Sequence, residues 1–169
     1  WSTTKDLTVT AAASDGEVED YALTIAPAAS YDYGDAPATY GTPNHTIVAG
    51  IYLGTNAPDS ENAPQTPLDG TGDDITGSDD EDGATILALT QGKSSIIAIK
   101  ITQATASSGY LQGWIDFNGD GDFADSGEQI ATDLQYSAGT TGTISVSVGT
   151  PVGAVVGQTY ARFRWSTTS

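Results

Sequence analysis

One stretch of the chain carries oxygen-bearing side chains at alternate positions, which is the spacing that a bound calcium ion requires. It covers residues 116–128, and Gly121 is its sixth residue. EF-hand loops surround calcium with oxygens about 2.3–2.6 Å away and place a glycine at position six for the sharp turn. The sequence therefore predicts a calcium site whose ligands are Asp116, Asn118, Asp120, Asp122, Asp125 and Glu128.

This stretch differs from an EF-hand at its end and in its flanks. Position twelve is Gly127 rather than glutamate, so Asp125 or Glu128 would have to complete the site. Residues 114–115 before it and 129–131 after it are typical of strands, not helices. We expect a calcium loop that connects two strands of a β-hairpin; the alternative is an acidic, glycine-rich turn without an ion.

A second acidic cluster ends a long stretch rich in Pro, Asn and Asp, residues 55–84. So long a stretch without regular structure is unusual in a compact domain unless something organises it. Carboxylates this close repel one another without a counter-ion, so a second calcium site is one interpretation and a solvated loop is the other. The cluster consists of Asp73, Asp74, Asp79, Asp80, Glu81 and Asp82.

Residues for catalysis are scarce. His45 is the only histidine, the chain has no cysteine, and no Gly-x-Ser-x-Gly string is present. A zinc site would lack its usual Cys and His ligands. We therefore expect no enzyme, although paired carboxylates of a glycoside hydrolase stay open as an alternative because acidic residues are so abundant.

The charge of the chain limits its partners. Asp and Glu number 22 against 5 Lys and Arg, which gives a net charge of −17. Such a surface repels phosphate backbones and anionic membranes, so we expect neither nucleic acid nor membrane insertion. The same charge destabilises the compact state unless cations bind to it.

The elements that would position these residues are strands. Several windows alternate apolar and polar side chains, no window keeps a 3.6-residue period, and glycines separate the windows. The pattern predicts an all-β fold, an antiparallel β-sandwich of jelly-roll or Ig-like type with long calcium-binding loops. The predicted strands cover residues 7–10, 21–25, 95–102, 110–115, 143–148 and 160–165.

Two features concern how the chain is organised. Trp1-Ser2-Thr3-Thr4 recurs as Trp165-Ser166-Thr167-Thr168, an offset of 165 − 1 = 164 residues, which predicts one unit of a tandem array. Glu17 and Glu19 are spaced like Arg162 and Arg164, so cross-strand ion pairs between the two strands are expected.

Eight strings resemble the GEVED-domain family of bacterial extracellular proteins. The most specific is Asp-Gly-Glu-Val-Glu-Asp-Tyr at residues 15–21, which in the family follows the Ala-Arg-Phe-Arg strand instead of preceding it. The resemblance therefore implies a circular shift, with residues 1–29 as the terminal strands of one unit plus a linker and 30–169 as the body of the next. One permuted domain overall is one interpretation, and insertion of the first segment into a neighbouring unit is the other. The strings are residues 15–21, 33–42, 51–54, 72–74, 79–83, 114–118, 127–130 and 159–164.

The resemblance implies a secreted, non-catalytic repeat module of a bacterial extracellular fibre, surface layer or adhesin-like protein. Calcium would stabilise it, and neighbouring copies of the repeat would be its partners, joined by strand donation. An alternative is a lectin-like module that needs calcium to bind surface glycans or proteins. Either module would be extracellular or on the bacterial cell surface.

Overall fold

The computed structural model describes residue 3 and residues 8–72 and 79–169. Its strands are short in the first half of the chain and long in the second half, where the alternation in the sequence is most regular. A 3-10 helix covers Ala38–Tyr40. The strands are β1 (Tyr31–Tyr33), β2 (Asn44–Thr46), β3 (Ile51–Leu53), β4 (Ala84–Thr85), β5 (Ser94–Gln103), β6 (Gly109–Ile115), β7 (Gln129–Tyr136), β8 (Thr141–Gly149) and β9 (Ala161–Ser166).

All the described strand pairs are antiparallel. β5 pairs along its whole length with β8, from Ser94↔Gly149 to Thr102↔Thr141, and its other edge pairs with β3 and β4. A second sheet has the order β7-β6-β9, and β1 pairs with β2 alone. Among the described residues, no helix is long and apolar enough to cross a bilayer.

The core lies between the two larger sheets. Alternate residues of β5 point inward, and Ile97, Ile99 and Ile101 are fully buried against side chains of the second sheet such as Leu111. The indole of Trp165, on β9, donates a hydrogen bond to the carbonyl of Thr102, on β5, at 3.3 Å. The prediction of an all-β, antiparallel fold is confirmed, and two facing sheets enclose the core as in a sandwich.

The prediction of two N-terminal strands, at residues 7–10 and 21–25, is wrong for the single chain. Residues 8–29 contain no strand and every one of them is exposed, Leu23 by 87% and Ile25 by 94%; Leu7 lies outside the described residues. Alternation gives a segment the side chains of a strand, but a strand forms only when a neighbouring edge supplies its hydrogen bonds. The expected pairing of Glu17 and Glu19 with the β9 arginines is therefore not formed within the chain.

Candidate metal centre

The acidic hairpin loop, residues 116–128, connects β6 to β7, as the sequence predicts. The two strands pair up to the loop, and the Ile115 N–H donates to the carbonyl of Glu128 at 3.0 Å. Within the loop, Gly119 and Gly121 have positive φ angles of 73° and 94°. A residue with a Cβ adopts such an angle only at a cost in free energy. The glycines let the chain curl while the paired strands fix both of its ends.

Asp116 organises the interior of this loop. Its carboxylate is fully buried and accepts hydrogen bonds from the N–H of Gly119 at 2.5 Å, the N–H of Gly121 at 3.1 Å and the hydroxyl of Tyr40 at 2.7 Å. A carboxylate has about four lone-pair positions, and donors of the protein itself occupy most of those of Asp116. Asp116 therefore serves the loop first as an acceptor for backbone donors.

Glu128 is the second buried carboxylate of the loop. It is 2% exposed and accepts from the N–H groups of Phe117 at 3.2 Å and Asp125 at 3.3 Å. Burial raises its pKa, and the charge of Asp116 adds to that effect. For Asp116 burial also opposes ionisation, but the hydrogen bonds from Tyr40 and the glycine N–H groups outweigh it and lower the pKa.

The exposed carboxylates of the loop converge on one point. Ligand oxygens of Asp120, Asp122 and Asp125 all lie within 4.8 Å of one another. The amide of Asn118 joins them, since its Nδ2 donates to Asp120 at 3.0 Å and to Asp125 at 2.6 Å. Rotation of this amide by half a turn would place its oxygen among the carboxylates instead. The donor set is then entirely oxygen, which suits calcium.

The six predicted ligands thus fall into two groups. Asn118, Asp120, Asp122 and Asp125 lie together and are exposed, whereas Asp116 and Glu128 are buried and accept hydrogen bonds from the loop backbone. The three converging aspartates could hold a metal ion, and calcium as that ion stays a prediction. That all six contribute ligand atoms stays a prediction.

The second predicted site does not converge in the part of the chain that is described. Asp73 and Asp74 lie outside the described residues. The rest of the cluster, the acidic stretch of residues 79–82, contacts the loop at residues 55–59 instead. Asp82 accepts from the N–H of Thr55 at 2.8 Å, and Asp80 accepts from the N–H of Asp59 at 3.0 Å. Among the described residues, no three of these carboxylates share a point within reach of one cation.

The sequence did not single out one carboxylate that lies beside the acidic stretch. Asp32, on β1, is half-buried, and its pKa is raised to about 6, chiefly by burial and then by the charges of Asp80, Glu61 and Asp59. Glu61 is 4% exposed and accepts from the N–H of Tyr33 at 2.7 Å. The one sequence signal was an aspartate between two tyrosines, which carries no information on distant neighbours.

Aromatic side chains that the sequence does not single out support the acidic hairpin loop. The Tyr40 ring lies 4.7 Å from that of Phe123, inside the loop, and 5.1 Å from that of Tyr160. The guanidinium of Arg162 lies over the Phe123 ring at 5.1 Å and donates to the carbonyl of Tyr40 at 2.7 Å. These contacts fix the loop against the β9 end of the second sheet.

His45 has a structural contact. Its Nε2 accepts a hydrogen bond from Nε of Arg164 at 2.8 Å, which requires that nitrogen to be unprotonated. Burial lowers the pKa of His45, and the charge of Arg164 lowers it further. A neutral imidazole bound to an arginine links β2 to β9.

The fold and the loop define an all-β module of antiparallel sheets with an acidic hairpin loop at one end of its second sheet. Residues 110–169 match the model of the GEVED domain, a range that includes the whole acidic hairpin loop, strands β7 to β9 and all of β6 except its first residue. This part of the chain is similar to the GEVED domain. The Asp-Gly-Glu-Val-Glu-Asp-Tyr string at residues 15–21 lies outside the matched range. Comparisons with curated proteins and with solved structures gave no match.

Proposed function

We propose that the chain is a structural, non-enzymatic module in which calcium stabilises the acidic hairpin loop. The observation that carries the proposal is the convergence of Asp120, Asp122 and Asp125 in a loop whose backbone donates hydrogen bonds to two buried carboxylates. Like charges so close together raise the free energy of the folded state, and a divalent cation between them removes that cost. The site would then contribute stability rather than chemistry.

The setting of the module is a repeat in a bacterial extracellular fibre, surface layer or adhesin-like protein. Support comes from the GEVED domain match and from the net charge of −17, which a calcium-rich exterior would offset. Extracellular modules bind calcium with dissociation constants of about 0.1–1 mM, a range suited to that location. The neutral, arginine-bound His45 also favours a structural module over an enzyme.

A lectin-like module is the second candidate. The three converging carboxylates are all exposed, so a bound ion would keep positions open to solvent where a sugar hydroxyl could bind. A glycan array probed with and without calcium separates the two functions. Calcium-dependent binding to a defined glycan would favour the lectin, and a spacer would give no such signal.

Calorimetric melting in calcium and in chelator tests the main proposal. At calcium concentrations about tenfold above the dissociation constant, the site adds roughly 1.4 kcal/mol to the free energy of unfolding. For a chain of this size that is a rise in Tm of about 3–5 °C. Sodium at matched ionic strength should not reproduce it.

Two matched variants make this measurement specific. Asp120→Asn keeps the shape of the side chain and removes one converging charge, and we expect it to lose most of the calcium-dependent rise. Asp20→Asn removes the same charge from an exposed residue outside the loop and should keep the full rise. Equal rises in both variants, or no rise in the unmodified protein, would refute the calcium site.

A further inference from the structure

The second sheet has an open edge at β9. β9 pairs with β6, and no described strand pairs with its other side. The Asp116 N–H donates to the carbonyl of Tyr160 at 3.1 Å, so in this antiparallel ladder the even-numbered residues of β9 bond to β6. Ala161, Phe163 and Trp165 therefore direct their backbone N–H and C=O groups away from β6, toward the open side.

A groove of about 520 Å³ lies along this edge, and its lining combines apolar side chains with the carboxylates of Asp32, Asp35, Asp69, Asp80 and Glu81. Its walls come from β9, from β3 of the facing sheet and from the segments next to β2 and β4. Val48 and Ile86 in these walls are 48% and 43% exposed, although large apolar side chains are normally buried. The main apolar lining residues are Val48, Ile51, Leu53, Ile86, Ala161 and Phe163. Open backbone groups beside a groove that exposes apolar side chains are what a further strand would complete.

The chain also contains a segment with the side chains of such a strand. In residues 17–25, hereafter the N-terminal segment, Tyr21, Leu23 and Ile25 alternate with smaller or polar residues, and all three are exposed. Burial of these large apolar side chains would stabilise the protein, and the single chain leaves them in water. Residues 26–30 then lead directly to β1.

We propose that the N-terminal segment of one copy inserts as an antiparallel strand beside β9 of a second copy. It is a second copy because the chain's own N-terminal segment forms no strand and lies exposed to solvent. Antiparallel pairing follows the orientation of all the other described pairs. The identification of the partner as a second copy rests on the proposed role as a repeat module, but the insertion itself does not depend on calcium.

Charge complementarity supports the same pairing. When Tyr21, Leu23 and Ile25 face the groove, Glu17 and Glu19 fall on the groove side as well, and Asp20 falls on the opposite face, which β9 occupies with Arg162 and Arg164. Those two arginines donate to a carbonyl of the 3-10 helix and to the His45 ring, and each carries a charge that repels the other. Asp20 beside them reduces that repulsion.

Disulfide trapping between mixed chains tests the insertion, and the absence of cysteine in the natural sequence makes it clean. One chain carries Ala161→Cys, and a size-tagged chain carries a single cysteine at one position of the N-terminal segment. We expect a tagged–untagged dimer to form with Tyr21→Cys, Leu23→Cys or Ile25→Cys, one of which identifies the register. Ala22→Cys and Thr24→Cys are the matched controls on the opposite face and should trap at least tenfold less.

Two results would overturn the proposal. Trapping at all five positions alike would mean random encounter. Ring closure within a single chain carrying both Leu23→Cys and Ala161→Cys, without dimers in the mixture, would mean that the segment docks on its own groove.

Sedimentation of Leu23→Asp separates this proposal from the calcium site. Leu23 is exposed in the single chain, so the monomer should melt at the same temperature as the unmodified protein. The variant should stay monomeric at concentrations where the unmodified chain associates. If the unmodified chain associates in chelator and its Tm does not change with calcium, the insertion is supported and the calcium site is rejected. Association of Leu23→Asp equal to that of the unmodified chain would reject the insertion.

Discussion

Two acidic regions of similar composition have opposite electrostatics. In the acidic hairpin loop the buried Asp116 faces N–H and O–H donors, and its pKa falls below the ordinary value. Beside the acidic stretch of residues 79–82, Asp32 faces other carboxylates, and its pKa rises to about 6. Composition alone would treat these regions as equivalent.

The difference comes from where each region lies in the fold. The acidic hairpin loop returns between two paired strands, so its own glycine N–H groups turn inward onto Asp116. The acidic stretch lies against a different segment, residues 55–59, and its carboxylates accept hydrogen bonds from the backbone N–H groups of that segment. Asp59 and Glu61 are then also close to Asp32. A local loop can satisfy its own charges, whereas a contact between distant acidic segments brings charges together.

The largest expected effect is that of Asp116→Ala. It leaves the Tyr40 hydroxyl and the N–H groups of Gly119 and Gly121 without their acceptor, and a buried donor without a partner costs about 1–3 kcal/mol. We expect a loss of about 3–5 kcal/mol in the free energy of unfolding, measured by urea denaturation in chelator so that metal plays no part.

Asp120→Ala is the control for that experiment, because it removes an exposed charge from the same loop. Its effect in chelator should stay within about 0.5 kcal/mol. If the two variants differ little, Asp116 does not organise the loop and the contrast between the two regions fails.

A smaller loss is expected in the acidic stretch from Gly54→Ala. Gly54 has a φ angle of 87°, and an added Cβ would overlap the carboxylate of Asp82, which accepts from the N–H of Thr55. The backbone strain costs about 1–2 kcal/mol, and displacement of Asp82 adds about 1 kcal/mol. Thermal or urea unfolding measures the sum.

Gly139→Ala is matched to it, with a φ angle of 76° and no heavy atom within 4 Å of the added Cβ. It should show the strain alone. Adding Asp82→Ala to Gly54→Ala should remove the overlap. Identical losses for Gly54→Ala and Gly139→Ala would mean that Asp82 does not restrain this region.

The smallest effect is a gain, from Asp32→Asn. The folded-state pKa of about 6 exceeds the ordinary 3.8, so the folded state binds more protons between these values. The free energy of unfolding therefore falls as pH rises through 6. The shift corresponds to at most about 3 kcal/mol, and partial exposure reduces it to about 1–2 kcal/mol.

We expect Asp32→Asn to stabilise the protein at pH 7 and to make little difference at pH 4, measured in chelator. Because other carboxylates titrate in this range, the quantity to compare is the difference between the variant and the unmodified protein at each pH. Glu17→Gln, in the exposed N-terminal segment, should give no such difference. A pH-independent gain in Asp32→Asn would point to packing instead of charge.

Sequence patterns predicted most of this fold where they were local. Alternation in residues 95–102 and 143–148 located the centres of β5 and β8, and the oxygen spacing located the hairpin loop between β6 and β7. The same alternation at residues 21–25 predicted a strand that the chain does not form, because a pattern does not specify the partner edge. The burial of Asp116 and the repulsion at Asp32 were not predictable, because both depend on residues such as Tyr40 and Glu61 that are distant in sequence.

The position of the acidic hairpin loop has a consequence for the order of folding. β6 and β7 are consecutive in sequence, whereas β5 and β8 are separated in sequence by the whole β6–β7 hairpin. Closing a shorter or stiffer loop costs less entropy, so hydrogen bonds to Asp116 that form early would favour the hairpin as the folding nucleus. Loop variants such as Asp116→Ala would then slow refolding more than they speed unfolding, a ratio that φ-value analysis measures.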